Sequence, residues 1–235
     1  MGVRKNQKNM SNAEWTAFIN AVDLIHRTAV PPPAYRRFVT LHVDAMSMSH
    51  TDWSVHTMSA QMRGKNFLTW HRRFVKLFEE RLQAVDPTVT VPYWDSVTDC
   101  HLPTALDDPV LLTHWSISRS WDPSRLASPT DLNALKTFPG SFLGFQTLLE
   151  GAIHANTRNA VSGDMAGSAS PADPLFWLHH AFIDKTWADW QASPNGKNPP
   201  NPNETLKPAN MQTGVPFGVK ISSLLNIAVL GYSYA

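Results

Sequence analysis

At 235 residues the chain is long enough for one domain with a sizeable core, and two independent domains would each be small, so residues 1–235 are read as a single domain. Lys plus Arg number 20 against 19 for Asp plus Glu, a balance that gives no electrostatic reason to expect nucleic acid or an anionic membrane surface as partner. The lone cysteine, Cys100, excludes an intrachain disulfide; no stretch has the length of a membrane span, and MGVRKNQKNMSNAEW at the start lacks the apolar run of a secretory signal, so a soluble, cytoplasmic protein is expected.

Residues 1–10 are mixed and polar, and read as a mobile or loosely docked arm. Ser11 followed by Glu14 is a capping box, after which Trp15, Phe18, Ile19, Val22 and Ile25 form a helical stripe. Pro31, Pro32 and Pro33 end any helix before them, and helical spacing resumes through Tyr35, Phe38 and His42. Residues 47–66, with His50 and His56, read as an irregular loop. The stretch 67–81 is a helix with Phe67, His71, Phe74 and Phe78 on one face, closed by Asp86 and Pro87. Tyr93 and Trp94 belong to a segment too short and broken for a regular element. Residues 98–140 are proline-rich without a sustained period, and read as a long connection with a short helical turn or two, of the kind that borders a functional site.

Ser141 opens the next helix, with Phe145, Leu149 and Ala152 on one face and Glu150, His154 and Arg158 on another at four-residue steps; the second face is expected to be solvated. A loop rich in Gly, Ser and Ala over 159–170 leads to the helix on which the chain is centred. Asp173 can cap it, Pro174 fits its first turn, and Phe176, His180, Ile183, Trp187 and Trp190 recur on one face. Turn and linker chemistry follows Trp190, and the apolar end of the chain reads as a covering strand or extended strap.

A buried imidazole needs partners for its nitrogens, and Asp184, one turn after His180, can be that partner or can orient the ring for another purpose. A lone histidine in an apolar stripe is ordinarily a hydrogen-bonded core residue. Here the pattern repeats at His42, His71 and His180, and inward histidines on facing helices are how helical bundles build centres for copper, zinc or iron.

The stretches FLTWHRRFVKLFE at 67–79 and DPLFWLHHAFID at 173–184 resemble the two copper signatures of the tyrosinase family, the type 3 copper proteins that include catechol oxidases and haemocyanin units. PYWD at 92–95, LLEGAIH at 148–154 and LGYSY at 230–234 support the resemblance, which spans nearly the whole chain. It implies a mainly α fold, an antiparallel four-helix bundle around a dinuclear copper centre with long irregular loops and few or no strands. It also implies oxidation of phenols or catechols to ortho-quinones by dioxygen, and allows for a helper protein that loads copper.

Carried over by position, the first copper takes His42 and His71 and the second takes His154 and His180, while His179 matches a neighbouring histidine that is not a ligand. Two ligand positions depart from the pattern. Met62 stands in the first site and offers a soft, weak thioether; Arg158 stands in the second and has no lone pair to donate. His56 could swing in for Met62. Glu150 matches the family's glutamate that helps deprotonate monophenols, whereas Ala155 replaces the asparagine that accompanies it, and Ala60 leaves no cysteine to bridge to a ligand. The resemblance thus leads to a phenol or catechol oxidase; the alternatives are a copper-deficient small-molecule binder on the same scaffold, its cavity closed by a Glu150–Arg158 charge pair, and reversible oxygen carriage.

Overall fold

Helix α1 (Asn12–His26) starts at the expected capping box, in which the Glu14 amide donates to the Ser11 hydroxyl and the Ser11 amide donates back to the Glu14 carboxylate at 2.8 Å. Phe18, Val22 and Ile25 of its stripe are buried, with Trp15 and Ile19 packed against the core. The computed structural model describes residues 1–27, 33–47, 55, 65–206 and 217–235; His50, His56, Ala60 and Met62 lie outside the described residues.

Four rods surround the candidate site. They are α2 (Ala34–Ser47), α3 (Phe67–Gln83), a continuous helical rod over 142–161, and α8 (Leu175–Ala192). Helix α8 is the most central. The sequence gives it one apolar face, but every residue from Leu175 to Asp184 is buried, as happens to a helix that is covered on all sides. Asp173 caps it, accepting from the Leu175 amide at 2.9 Å, and is itself gripped by two nitrogens of Arg119, each at 2.7 Å. Stacked rings join the rods: Phe78 lies on Trp177 at 3.7 Å, and Phe145 on Trp190 at 4.0 Å.

The proline-rich stretch before the third rod contains two short helices, α4 (Pro109–His114) and α5 (Pro129–Lys136). Each begins with a side-chain cap, from Asp108 and Ser128, followed by proline in the first turn, where its missing N–H costs nothing. The third rod runs as α6 (Phe142–Leu148), the π-helical segment (Leu149–Ala155) and α7 (Asn156–Val161). Bonding from i to i+5 adds a residue to the turn, so the four-residue face drawn from the sequence is broken here. The expected solvated face is a correction: Glu150 and His154 are buried.

The N-terminal arm also departs from expectation. Strand β1 (Gly2–Arg4) pairs in parallel with β2 (Tyr232–Tyr234), Gly2 opposite Tyr232 and Arg4 opposite Tyr234, so the two ends of the chain form one ribbon. Arg4 is fully buried because acceptors on α3 and α8 await it: its Nε donates to Glu79 at 2.9 Å, and one terminal nitrogen reaches Asp184 at 3.4 Å. Among the described residues these are the two strands, and no helix is long and apolar enough to cross a membrane.

Candidate metal centre

His42 from α2, His71 from α3, His154 from the π-helical segment and His180 from α8 are all at most 3 % exposed and converge on one volume. His71 stacks on His180 with ring centroids 4.2 Å apart, His154 lies 5.1 Å from His180 and 6.4 Å from His71, and His42 lies 5.8 Å from His71. Phenylalanines line the remaining sides: Phe67 is 4.9 Å from His154, and Phe176 is 4.1 Å from His180 and 5.1 Å from His42. These walls keep bulk water off the imidazoles.

Two of the rings have a fixed tautomer. His42 Nδ1 faces the Ser168 carbonyl at 2.6 Å, and His71 Nδ1 faces the Phe67 carbonyl at 2.9 Å. A carbonyl can only accept, so each Nδ1 carries a proton, which makes Nε2 the nitrogen that would meet a metal. That is the usual way in which an outer contact readies an imidazole for a metal. Both nitrogens of His180 are buried and without a hydrogen-bond partner. Burial first, and then the neighbouring His71, His154, His179 and His42, hold its pKa well below the ordinary imidazole value, so the ring is neutral.

Asp184 does not serve His180, contrary to both roles drawn from the sequence. Its carboxylate accepts from Arg72, from Arg4, from Tyr232 Oη at 2.7 Å and from Tyr234 Oη at 2.6 Å. The missed element is this buried cluster, which ties α3, α8 and both chain ends together. Its only trace in the sequence was an arginine after Val3 at the start and two tyrosines within the apolar end that reads as a covering strand or strap.

Arg158 turns toward the following loop. Its Nε donates to the Met165 carbonyl at 2.8 Å, and a terminal nitrogen donates to Ala166 at 3.2 Å and Gly167 at 2.6 Å. Burial lowers its pKa to about 10, with the Glu150 charge opposing, so it remains a cation at neutral pH. Its charge also reaches His179, whose pKa falls to about 3, through burial first and Arg158 second; the His154 carbonyl opposes this without reaching hydrogen-bond geometry. Glu150, 8 % exposed, sits one π turn before His154, and Ala155 follows that histidine half-buried.

Imidazole nitrogens gathered in a buried, aromatic-walled volume suit copper, so the donor set fits at His42, His71, His154 and His180. It does not fit at Arg158, a cation without a lone pair. Among the described residues, His154, His179 and His180 form the one group of three His, Cys, Asp or Glu side chains whose ligand atoms all lie within 4.8 Å of one another.

Comparison with known proteins agrees with this architecture. The family description "Common central domain of tyrosinase" matches residues 32–126 and 108–193. A tyrosinase of Streptomyces antibioticus is 35 % identical, the match covering 91 % of this chain and 94 % of the relative; a tyrosinase of Streptomyces lincolnensis is 33 % identical, covering 81 % and 83 %. In fold, a polyphenol oxidase of Thermothelomyces thermophila superposes with a TM-score of 0.71 at 19 % identity, over 100 % of this chain and 89 % of that one. A functional unit of octopus haemocyanin gives 0.71 at 22 % identity, over 100 % and 68 %. With two signatures, a buried imidazole cluster and relatives matched nearly end to end, the chain belongs to the tyrosinase family.

Proposed function

We propose that this chain is a copper oxidoreductase that converts catechols, and more slowly phenols, to ortho-quinones with dioxygen. The convergence of His42, His71, His154 and His180 in a dry, phenylalanine-lined volume carries the reading, together with membership of the tyrosinase family. His42 and His71 would hold one copper through Nε2, and His154 and His180 a second. Copper supplies the electron transfer to dioxygen. In the overall balance two catechols each give up two electrons and two protons, and one dioxygen leaves as two waters.

The protein's own part is positioning and proton handling. The carbonyls of Ser168 and Phe67 hold two imidazoles in the donor tautomer, and the aromatic walls exclude water. Glu150, buried a turn before His154, is assigned as the carboxylate that takes the substrate's hydroxyl proton. Ala155 supplies no amide at the position where the family pattern has asparagine, which weakens deprotonation of a monophenol more than of the more acidic catechol. The copper-deficient binder is not favoured, because the Arg158 guanidinium is committed to three loop carbonyls rather than to closing the cavity.

Oxygen uptake by the copper-loaded chain tests the reading. Catechol should be consumed at least about tenfold faster than a monophenol, and Ala155→Asn should narrow that ratio by raising the monophenol rate, an effect in the range of general-base assistance. A copper-loaded chain inert toward catechol would sink the proposal.

A further inference from the structure

The family pattern gives the second metal position a histidine four residues after His154, and this chain has Arg158 there. A guanidinium cannot fill that role, and its donors are occupied by the carbonyls of Met165, Ala166 and Gly167. A site left with two imidazoles would hold an ion weakly. The same volume, however, contains a fifth buried imidazole. His179 is fully buried, its Nδ1 and Nε2 have no hydrogen-bond partner, and its ring lies 5.5 Å from His154, nearly parallel at 17°, and 5.3 Å from His180. With His154 and His180 5.1 Å apart, the three rings form a nearly equilateral triangle.

We propose that the second metal site of this chain is the triad His154, His179 and His180, with His179 supplying the third imidazole that Arg158 withholds. Adjacent helical residues point about 100° apart, so His179 and His180 approach an ion from different sides while His154 closes the triangle from the π-helical segment. Nitrogens bound to one ion at about 2.0–2.1 Å are at most about 4.2 Å apart, so ligand atoms now within 4.8 Å must draw inward by modest ring rotations. Burying two aromatic nitrogens of His179 with no partner is costly, and an ion is the group that would satisfy one of them. The Arg158 carbonyl contacts have a role in the same scheme. They hold the guanidinium against the 165–167 turn, where it caps the loop instead of occupying the ligand position.

The inference rests on the copper reading above, yet the two can be separated. The metal-free full-length chain is titrated calorimetrically with Zn(II), a redox-silent ion that takes the same imidazole ligands, and bound zinc is counted after desalting. The chain should hold one more tightly bound zinc than His179→Leu. The affinity of that step should fall by more than the roughly 10- to 100-fold that losing a hydrogen-bond partner of a ligand costs. Arg158→His added to His179→Leu should restore the lost ion. If His179→Leu disturbs folding, as read from its aromatic circular dichroism, His179→Gln is measured instead and should lose the same ion.

Equal zinc counts and affinities with and without His179 would overturn the triad, and so would failure of the unaltered chain to retain any zinc. Oxygen uptake with catechol by the copper-loaded chain then distinguishes the failures. Uptake with zinc binding indifferent to residue 179 leaves the oxidase standing without the triad. Zinc binding that depends on His179, without uptake, leaves the triad standing without the oxidase.

Discussion

Helices α3 and α8 carry two buried polar clusters, rooted on adjacent residues of α3 and one turn apart on α8, and the clusters are built on opposite terms. On one side His71 and His180 face each other among phenylalanines, and His180 has no hydrogen-bond partner for either nitrogen. On the other, Arg72 and Asp184 meet directly, with Arg4, Glu79, Tyr232 and Tyr234 supplying donors and acceptors around them. Arg4 also lies over the Tyr232 ring at 3.6 Å, and Arg72 over the Trp187 ring at 3.5 Å. The charged cluster draws its partners from the protein itself, whereas the nitrogens of His180 find none there. Structural cohesion of the two central helices therefore draws on the charged cluster, while the unpartnered nitrogens of His180 carry a polar cost.

The largest expected effect follows from breaking the charged cluster. Asp184→Ala removes the acceptor shared by two arginines and two tyrosines and leaves buried guanidinium charge without compensation, which should cost about 3–5 kcal/mol of stability. Urea unfolding of the metal-free chain measures it, and a loss under about 1 kcal/mol would mean that the cluster does not hold the helices. The same carboxylate fixes a pH dependence. Desolvation pushes its pKa up, but Arg72, Arg4 and the two tyrosine hydrogen bonds outweigh that and hold it below the ordinary carboxylate value. With the folded pKa depressed, its contribution is complete above about pH 4, where the unfolded carboxylate also ionises, and is lost as pH falls through the folded value. Asp184→Asn should therefore flatten the stability profile below about pH 4 and leave its slope above that unchanged.

A smaller loss comes from Tyr232→Phe, which deletes one of the four donors to Asp184 and nothing else in that carboxylate's shell. A hydrogen bond to a charged group contributes about 1.5–3 kcal/mol, and the remaining donors should hold the cost near the lower end. Burial, followed by the Asp184 charge, raises the Tyr232 pKa, so the phenol remains a donor throughout the range where the protein folds. Comparing thermal unfolding of Tyr232→Phe with that of Asp184→Ala shows whether the donors act together. A tyrosine loss as large as the aspartate's would mean that Tyr232, and not the charges, organises the cluster.

The sequence revealed the imidazole cluster far better than the charged one, for a physical reason. His42, His71 and His180 each sit within a helical apolar stripe, so local periodicity alone turns them inward, and the mainly helical fold follows from the same signal. Arg4 has no local signal, because its burial depends on partners on α3, on α8 and on a strand at the other end of the chain. The π-helical segment was equally hidden: a one-residue shift in hydrogen bonding leaves side-chain types unchanged, and Glu150 and His154 are buried there rather than on the expected solvated face. His179 lies off the stripe of its own helix, and the family pattern gives it no ligand role. Only the approach of the π-helical segment places it beside His154.

The comparison makes one further prediction, the smallest in size and opposite in sign. If the imidazole cluster costs stability, then His180→Leu should stabilise the metal-free chain, because an apolar side chain replaces two buried nitrogens that lack partners and packs against Phe176 and Phe67. A gain of about 1 kcal/mol is expected, since the methyl groups fit a ring-shaped space imperfectly and give back part of the benefit. Chemical unfolding with a chelator present isolates the effect from bound metal. The same variant should lose metal-dependent stabilisation, so the ranking of the two chains should reverse when copper is added in excess, as binding to the folded state alone requires. A destabilised metal-free His180→Leu chain would show that His180 is held by its neighbours as a core residue, and that the division of labour between the two clusters is wrong.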